Sequence, residues 1–113
     1  MHEMAIVQGI MNAAIPEAEK HGAKKILAIR LKIGVLSGVV PQCIQDYFQI
    51  AAQGTMAQEA KIEVEKIPIG IRCESCGYEG GIEQRKFRCP QCDSIDVKVV
   101  SGKEYFVDSL EVE

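Results

Sequence analysis

Cys73-Glu74-Ser75-Cys76-Gly77, then, after twelve residues between Cys76 and the next cysteine, Cys89-Pro90-Gln91-Cys92, is the stretch that decides how this chain is read. Each half is a C-x-x-C pair, a spacing that wraps two sulfurs onto one side of a tight turn. Two such turns set face to face offer four thiolates at the corners of a tetrahedron, the donor set of a closed structural zinc site. Gly77 follows the first pair, where the turn needs a positive φ. Asp93 holds the matching place after the second pair and tolerates the same conformation. Pro90 pre-sets φ inside the second turn. The plainer alternative is two independent pairs, redox-active or disulfide-bonded. Two pairs flanking one short spacer favour a single metal site at Cys73, Cys76, Cys89 and Cys92.

Outward from this stretch, 113 residues make one domain or a small domain carrying a metal-stapled module. An apolar fraction of 47% allows a packed core, and with no Trp, three Phe and three Tyr that core is aliphatic. Five cysteines, an odd number, argue against a pure disulfide framework. Met4 to Ile15 is partly apolar, but Gln8 and Asn12 interrupt it and Glu3 stands where an export signal would be basic. No run is long enough to span a bilayer. Reduced thiols and a metal site then predict a cytoplasmic protein with no membrane insertion. Thirteen Lys and Arg against sixteen Asp and Glu leave a formal charge of −3, a poor balance for gripping phosphates. Around the paired turns Arg72, Arg85, Lys86 and Arg88 are matched by Glu74, Glu79, Glu83 and Asp93, so no basic stripe forms and no nucleic-acid partner is expected.

Taken in order, Met4, Val7, Met11, Ala14, Ile15 and Ala18 recur at helical spacing, predicting a first helix that kinks at Pro16 and stops near Gly22. Leu27, Ile29, Leu31 and Ile33 alternate with Arg30 and Lys32, predicting a strand covered on one side. After a loop over 34–38, Pro41 opens a second helix with Ile44, Tyr47, Phe48, Ala51 and Ala52 on its apolar face. Cys43 sits on that helix as a small, partly buried side chain. Ile62, Val64 and Ile67 mark a second strand, stopped by Pro68. Gly80-Gly81 reads as the tip of the spacer between the cysteine pairs. Leu110 and Val112 belong to a last strand, bulged at Asp108, that rejoins the first sheet. The expected fold class is α+β: a two-layer helix–sheet domain over residues 1–68 and 101–113, with an inserted four-cysteine zinc-ribbon module over 69–100.

Catalytic machinery is not legible. The two histidines, His2 and His21, belong to no Ser/His/Asp or Cys/His arrangement, and the loop over 34–38 lacks the Lys-Ser/Thr ending of a phosphate-binding loop. A zinc ion with four thiolates has no open position for water. The N-terminus has a coordination chemistry of its own. The Met1 amine, the His2 backbone nitrogen and the His2 imidazole can close adjacent chelate rings, with the Glu3 amide or a neighbouring donor completing a square plane suited to Ni(II) or Cu(II). On the residues alone, a frayed solvated end is the simpler reading.

Met1-His2-Glu3, the Leu36-Ser37-Gly38-Val39 segment with Pro41, Phe48, Gly54-Thr55, Ala60, the two cysteine pairs and the closing Ser109-Leu110-Glu111-Val112-Glu113 together resemble the HypA/HybF nickel-incorporation proteins of [NiFe]-hydrogenase maturation. The resemblance spans essentially the whole chain. It departs at Pro16, at Val35 and at Asp93, none of them a proposed ligand. It implies a non-catalytic nickel metallochaperone with His2 as nickel ligand, helped by the backbone nitrogens of His2 and Glu3, while the Met1 amine remains a candidate on its chemistry alone. It also implies structural zinc on Cys73, Cys76, Cys89 and Cys92. The partners it implies are the GTPase HypB and the [NiFe]-hydrogenase large subunit, and in some organisms urease; a monomer and a homodimer both fit. Two other classes compete: a zinc-ribbon module for nucleic acid or transcription machinery, against which the acidic balance counts, and a four-thiolate iron electron carrier, for which the N-terminal α/β portion is superfluous.

Overall fold

Alternating helix and strand segments place two helices against one small sheet and send the chain through a second sheet before it returns. The computed structural model describes residues 3–82 and 86–113. In chain order the elements are α1 (Glu3–Lys20), β1 (Ile26–Gly34), α2 (Pro41–Ala51), β2 (Lys61–Ile67), β3 (Gly70–Cys73), β4 (Glu79–Gly81), β5 (Val97–Ser101) and β6 (Tyr105–Val112). The first sheet has the order β2-β1-β6, with β1 parallel to β2 and antiparallel to β6. A parallel pair needs a crossover, and α2 supplies it. The second sheet has the order β4-β3-β5, all antiparallel. The fold is therefore α+β, and the last strand returns to the first sheet as its sequence pattern predicts.

The helix stripe runs through Pro16 without a break, but it is rotated from the expected one. Ile6, Val7, Ile10, Met11, Ala14 and Ala18 are buried, while Met4 is 40% exposed. Ile6 and Ile10 complete an i, i+4 row that Met4 does not join. Lys20 lies in the last turn and Gly22, at φ +72, ends the helix in the left-handed conformation expected of it. Leu27, expected inward, is exposed, and Ile26 and Ala28 are buried in its place. The cause is a register shift against β6 between Ile26 and Ala28, which slips the alternation by one residue and turns Leu27 out. A second shift pairs Arg30 with Ser109 and Leu31 with Val107, leaving Asp108 as the extra residue, as its place in the sequence suggests.

The core gathers α1, β1, α2 and β2 around Val7, Ile26, Ile29, Ile44 and Phe48, each at most 1% exposed. On α2 the buried face is Ile44 and Phe48, continued by Ala52; Tyr47 is exposed, and Cys43 is half-buried. None of the described residues from Ile69 to Val100 belongs to this core. There the buried apolar groups are Ile69, Ile71, Cys73 and Cys89. Gly80 and Gly81 do not form a tip: they lie in β4, paired with Ile71 and Gly70.

The two sheets meet at a joint built on backbone. The amides of Val35 and Leu36 donate to the carbonyls of Ile67 (3.1 Å) and Gly102 (2.7 Å), so the end of β1 holds both connecting segments. A Cβ on Gly34 would run into the Gly102 carbonyl and come within 2.9 Å of that of Glu104. Gly102, at φ +103, gives the return segment a turn that side chains resist.

Candidate metal centre

Cys73 ends β3, and the turn after it folds back: the Gly77 amide donates to the Cys73 carbonyl (3.0 Å) and the Cys73 amide to the Tyr78 carbonyl (2.8 Å). The second turn repeats this bond for bond, with Asp93 to Cys89 (2.8 Å) and Cys89 to Ser94 (2.9 Å). Gly77 at φ +79 and Asp93 at φ +63 occupy the same left-handed step, which explains both residue choices. Sulfurs also accept amide hydrogen bonds: Cys76 N–H to Cys73 Sγ, and Gln91 and Cys92 N–H to Cys89 Sγ, all 3.4 Å. Such donors stabilise a thiolate before any cation arrives.

The two turns bring all four sulfurs within 4.8 Å of one another. Cys73 Sγ lies 3.6 Å from Cys92 Sγ, and Cys76 Sγ 3.5 Å from Cys89 Sγ. A tetrahedron with metal–sulfur bonds of about 2.3 Å has edges of about 3.8 Å, so the cage has the size a tetrahedral thiophilic cation requires. Cys73 and Cys89 form its buried floor; Cys76 and Cys92 face outward. A four-thiol site of this kind can hold a metal such as zinc.

The electrostatics lead to the same demand. The Cys76 amide, opposed by desolvation and helped by the Ser75 amide, brings the Cys73 thiol down to about 7. Two of its neighbours move the other way. Cys76 and Cys92 are aided by the Tyr78 and Ser94 amides, but desolvation and the adjacent thiols outweigh that help. Cys76 is pushed up, and Cys92 reaches about 12. Thiolates this close repel one another, and a cation among them relieves that repulsion.

Some contacts that hold the cage were not foreseen. Ser75 and Ser94 hydroxyls meet at 3.0 Å across the two turns, Ser94 Oγ also accepts from the Asp96 amide (3.0 Å), and Glu74 N–H donates to the Asp96 carbonyl (2.9 Å). Ser94 stands at the same offset from Cys89 as Tyr78 from Cys73, a signal available from the paired spacing. The charged rim is largely self-paired: Arg72 and Lys98 both reach Glu74 (3.4 and 3.8 Å), and Arg88 reaches Asp93 (3.5 Å). The expected absence of a basic stripe agrees with these pairs, although Glu83 and Arg85 lie outside the described residues.

Of the candidate nickel ligands, Met1 and His2 lie outside the described residues, and Glu3 is the first residue of α1. His21 stands at the far end of that helix, where its Nε2 meets Glu17 (3.1 Å). Cys43, on α2, belongs to no group of metal-binding side chains among the described residues.

A two-helix, two-sheet α+β chain with a four-thiol cage defines a small protein equipped to handle metal. Residues 1–112 match the family described as hydrogenase/urease nickel incorporation, metallochaperone, HypA. Hydrogenase maturation factors HypA from Desulfitobacterium hafniense and Aquifex aeolicus are 36% and 35% identical, the alignments covering 100% of this chain and 99% and 98% of theirs. The solution structure of the Ni metallochaperone HypA from Helicobacter pylori superposes with a TM-score of 0.73 at 22% identity, over 99% of this chain and 97% of that one. A second solution structure, of a HypA protein, gives 0.76 at 22% identity, over 100% and 97%. The chain belongs to the HypA family of metallochaperones for hydrogenase and urease nickel incorporation. No helix among the described residues is long and apolar enough to cross a membrane.

Proposed function

We propose that this protein carries Ni(II) on its first residues and delivers it, with the GTPase HypB, to the large subunit of a [NiFe]-hydrogenase. Urease is a second destination that the family description admits. The ion is cargo, bound by the His2 imidazole, the His2 and Glu3 backbone nitrogens and, where the chain end is free, the Met1 amine. Cys73, Cys76, Cys89 and Cys92 hold a resident zinc that shapes residues 69–100 as a separate module and takes no part in chemistry. The protein acts stoichiometrically in the cytoplasm, as a monomer or a homodimer, rather than as a catalyst.

The observation that carries the reading is the family match beginning at Met1-His2-Glu3 and running through both cysteine pairs. Chemistry supports the ligand set. Glu3 opens α1, and the first amides of a helix have no intrahelical acceptor, so the Glu3 nitrogen is free to turn to a metal without unravelling a turn. A site made of amide nitrogen, amine and imidazole suits square-planar Ni(II), whereas four soft thiolates suit tetrahedral zinc. The two metals are sorted by geometry.

Nickel titration by calorimetry tests the assignment on untagged protein, an N-terminally extended form and His2→Ala. His2→Ala removes tight nickel binding and leaves zinc content unchanged. An extension weakens binding sharply if the Met1 amine is a ligand and little if it is not. Affinity rises with pH, since imidazole, with a reference pKa of about 6.5, and any amine ligand must first lose protons. Equal nickel affinity in His2→Ala and the unaltered protein ends the assignment.

A further inference from the structure

Among the described residues, each outer strand of the first sheet is paired on one side only, and β6 is the longer of the two. β6 pairs with β1 on one side and, among the described residues, with no strand on the other. Its residues opposite Ile33, Leu31, Ile29 and Ile26 are Tyr105, Val107, Leu110 and Val112, an apolar row on the core side of the sheet. The row is incompletely covered: Tyr105 is 43% and Val112 40% exposed.

The reason is the facing side of α1, which carries almost no side chain. Ala5, Gly9 and Ala13 recur every four residues there, all exposed, and a Cβ on Gly9 would meet nothing within 4 Å. Between these small residues and Tyr105, Phe106 and Val107 lies a cavity of about 290 Å³. A second, of about 380 Å³, shares Ala13 and Val107 and continues past Glu17 to Leu110 and Val112. The two form one seam along the length of β6, with a helix as one wall and an open strand edge as the other. That is the geometry in which an extended peptide adds as a strand, its backbone bonding to the edge and alternate side chains dropping toward the helix.

Charge selects the occupant. From Glu104 to Glu113 the chain has four acidic residues and no Lys or Arg, and Glu17 adds another carboxylate on the helix wall. The sheet's own cations neutralise these weakly: Lys32 reaches Asp108 at 4.0 Å, and Arg30 reaches Glu111 at 3.7 Å while sitting 2.9 Å from Glu63. A second copy of β6 would set one acidic strand beside another, and like charges across a strand pair are destabilising. An alternating segment of apolar and basic residues has the opposite balance.

We infer that the seam between α1 and β6 is a docking site for an extended, alternately apolar and basic segment of a partner protein, which joins the first sheet as a strand beside β6. The site shares no residue with the nickel assignment and stands or falls without it.

The test uses the full chain and a fluorescent eight-residue peptide alternating valine with lysine. A valine–glutamate peptide controls for charge, and a glycine–lysine peptide for apolar contact. The valine–lysine peptide should bind at least tenfold tighter than either control and protect the amides of residues 105–112 from hydrogen exchange. Gly9→Leu fills the seam at an open helical position and should weaken that binding by tenfold or more; Asp108→Lys, outside the helix, should weaken it through charge alone. Equal binding of the glycine–lysine peptide would reduce the effect to surface charge and overturn the site. So would unchanged binding in both variants, or protection appearing elsewhere. Protection of 105–112 that grows with protein concentration in the absence of peptide would assign the edge to a second copy instead.

Discussion

The helix–sheet part and the four-cysteine part of this chain stay folded by different means, and the contrast shows what each can tolerate. In the first, Phe48, Ile26, Ile29, Ile44 and Val7 are sealed from water by two helices and a sheet. Hydrophobic burial is distributed, so no single group is indispensable. In the second, the buried apolar side chains among the described residues are Ile69 and Ile71, with two cysteine sulfurs beneath the cage. Phe87, Ile95 and Val100 point into solvent. A segment of this size cannot enclose a core of its own. Its order is concentrated in one point, the four sulfurs, which lie within 4.8 Å of one another and can hold a metal.

The largest effect should follow from removing that point. Binding of structural zinc to four-ligand modules is worth about 10–16 kcal/mol in apparent terms, nearly all of it coupled to folding. Chelation, or Cys89→Ser at the buried floor, should abolish hydrogen-exchange protection over residues 73–96 while the amides of α1 and β1 keep theirs. Uniform loss along the whole chain would break the comparison, because it would mean that the two parts fold as one unit.

The converse substitution acts on the core. Phe48→Ala leaves a cavity beneath α2 and should cost about 3–5 kcal/mol of stability to denaturant. Zinc stoichiometry, read from metal released to a chromogenic chelator, should stay at one per chain under native conditions. Loss of metal from Phe48→Ala would show that the core, and not the cage, positions the cysteine turns.

The same contrast explains what could be read in advance. The cage was legible because its signal is local: two C-x-x-C turns, a residue tolerant of positive φ after each, and a proline inside one. The sheet's third strand and the extra residue at Asp108 were legible because apolar alternation fails visibly there. Leu27 was not, since the register shift beside it arises from pairing with β6, far away in sequence, and flips an otherwise regular pattern. Met4 misled for a related reason: either Met4 or Ile6 fits a helical stripe, and only the position of the sheet decides between them. The Gly34–Gly102 contact carried no signal at all, being an approach of two backbones. The seam beside β6 was hidden similarly, because Ala5, Gly9 and Ala13 read as ordinary helix until an open strand edge is placed opposite them.

The smallest effect concerns the joint between the two parts. Glu104 accepts from its own amide and, through Oε1, from the Gly102 amide at 2.6 Å, and these donors hold its carboxyl below the ordinary value of 4.5. A carboxylate whose folded pKa is depressed contributes its full stabilisation above the unfolded pKa and loses it as pH falls through the folded one. The joint should therefore loosen only on the acid side of about pH 4.5, and only slightly, since the group is exposed and screened. Glu104→Gln retains an oxygen that can accept from Gly102 but does not titrate. It should start marginally less stable at neutral pH and show a flatter decline in melting temperature below that point. Amide exchange locates the effect: the Leu36 amide, which ties β1 to the return segment, and the Gly102 amide, which donates to Glu104, should respond while residues 73–96 do not. An acid response in Glu104→Gln identical to that of the unaltered protein would place the acid-sensitive contact somewhere other than this joint, and the two parts would then be coupled by something beyond the backbone bonds at Val35 and Leu36.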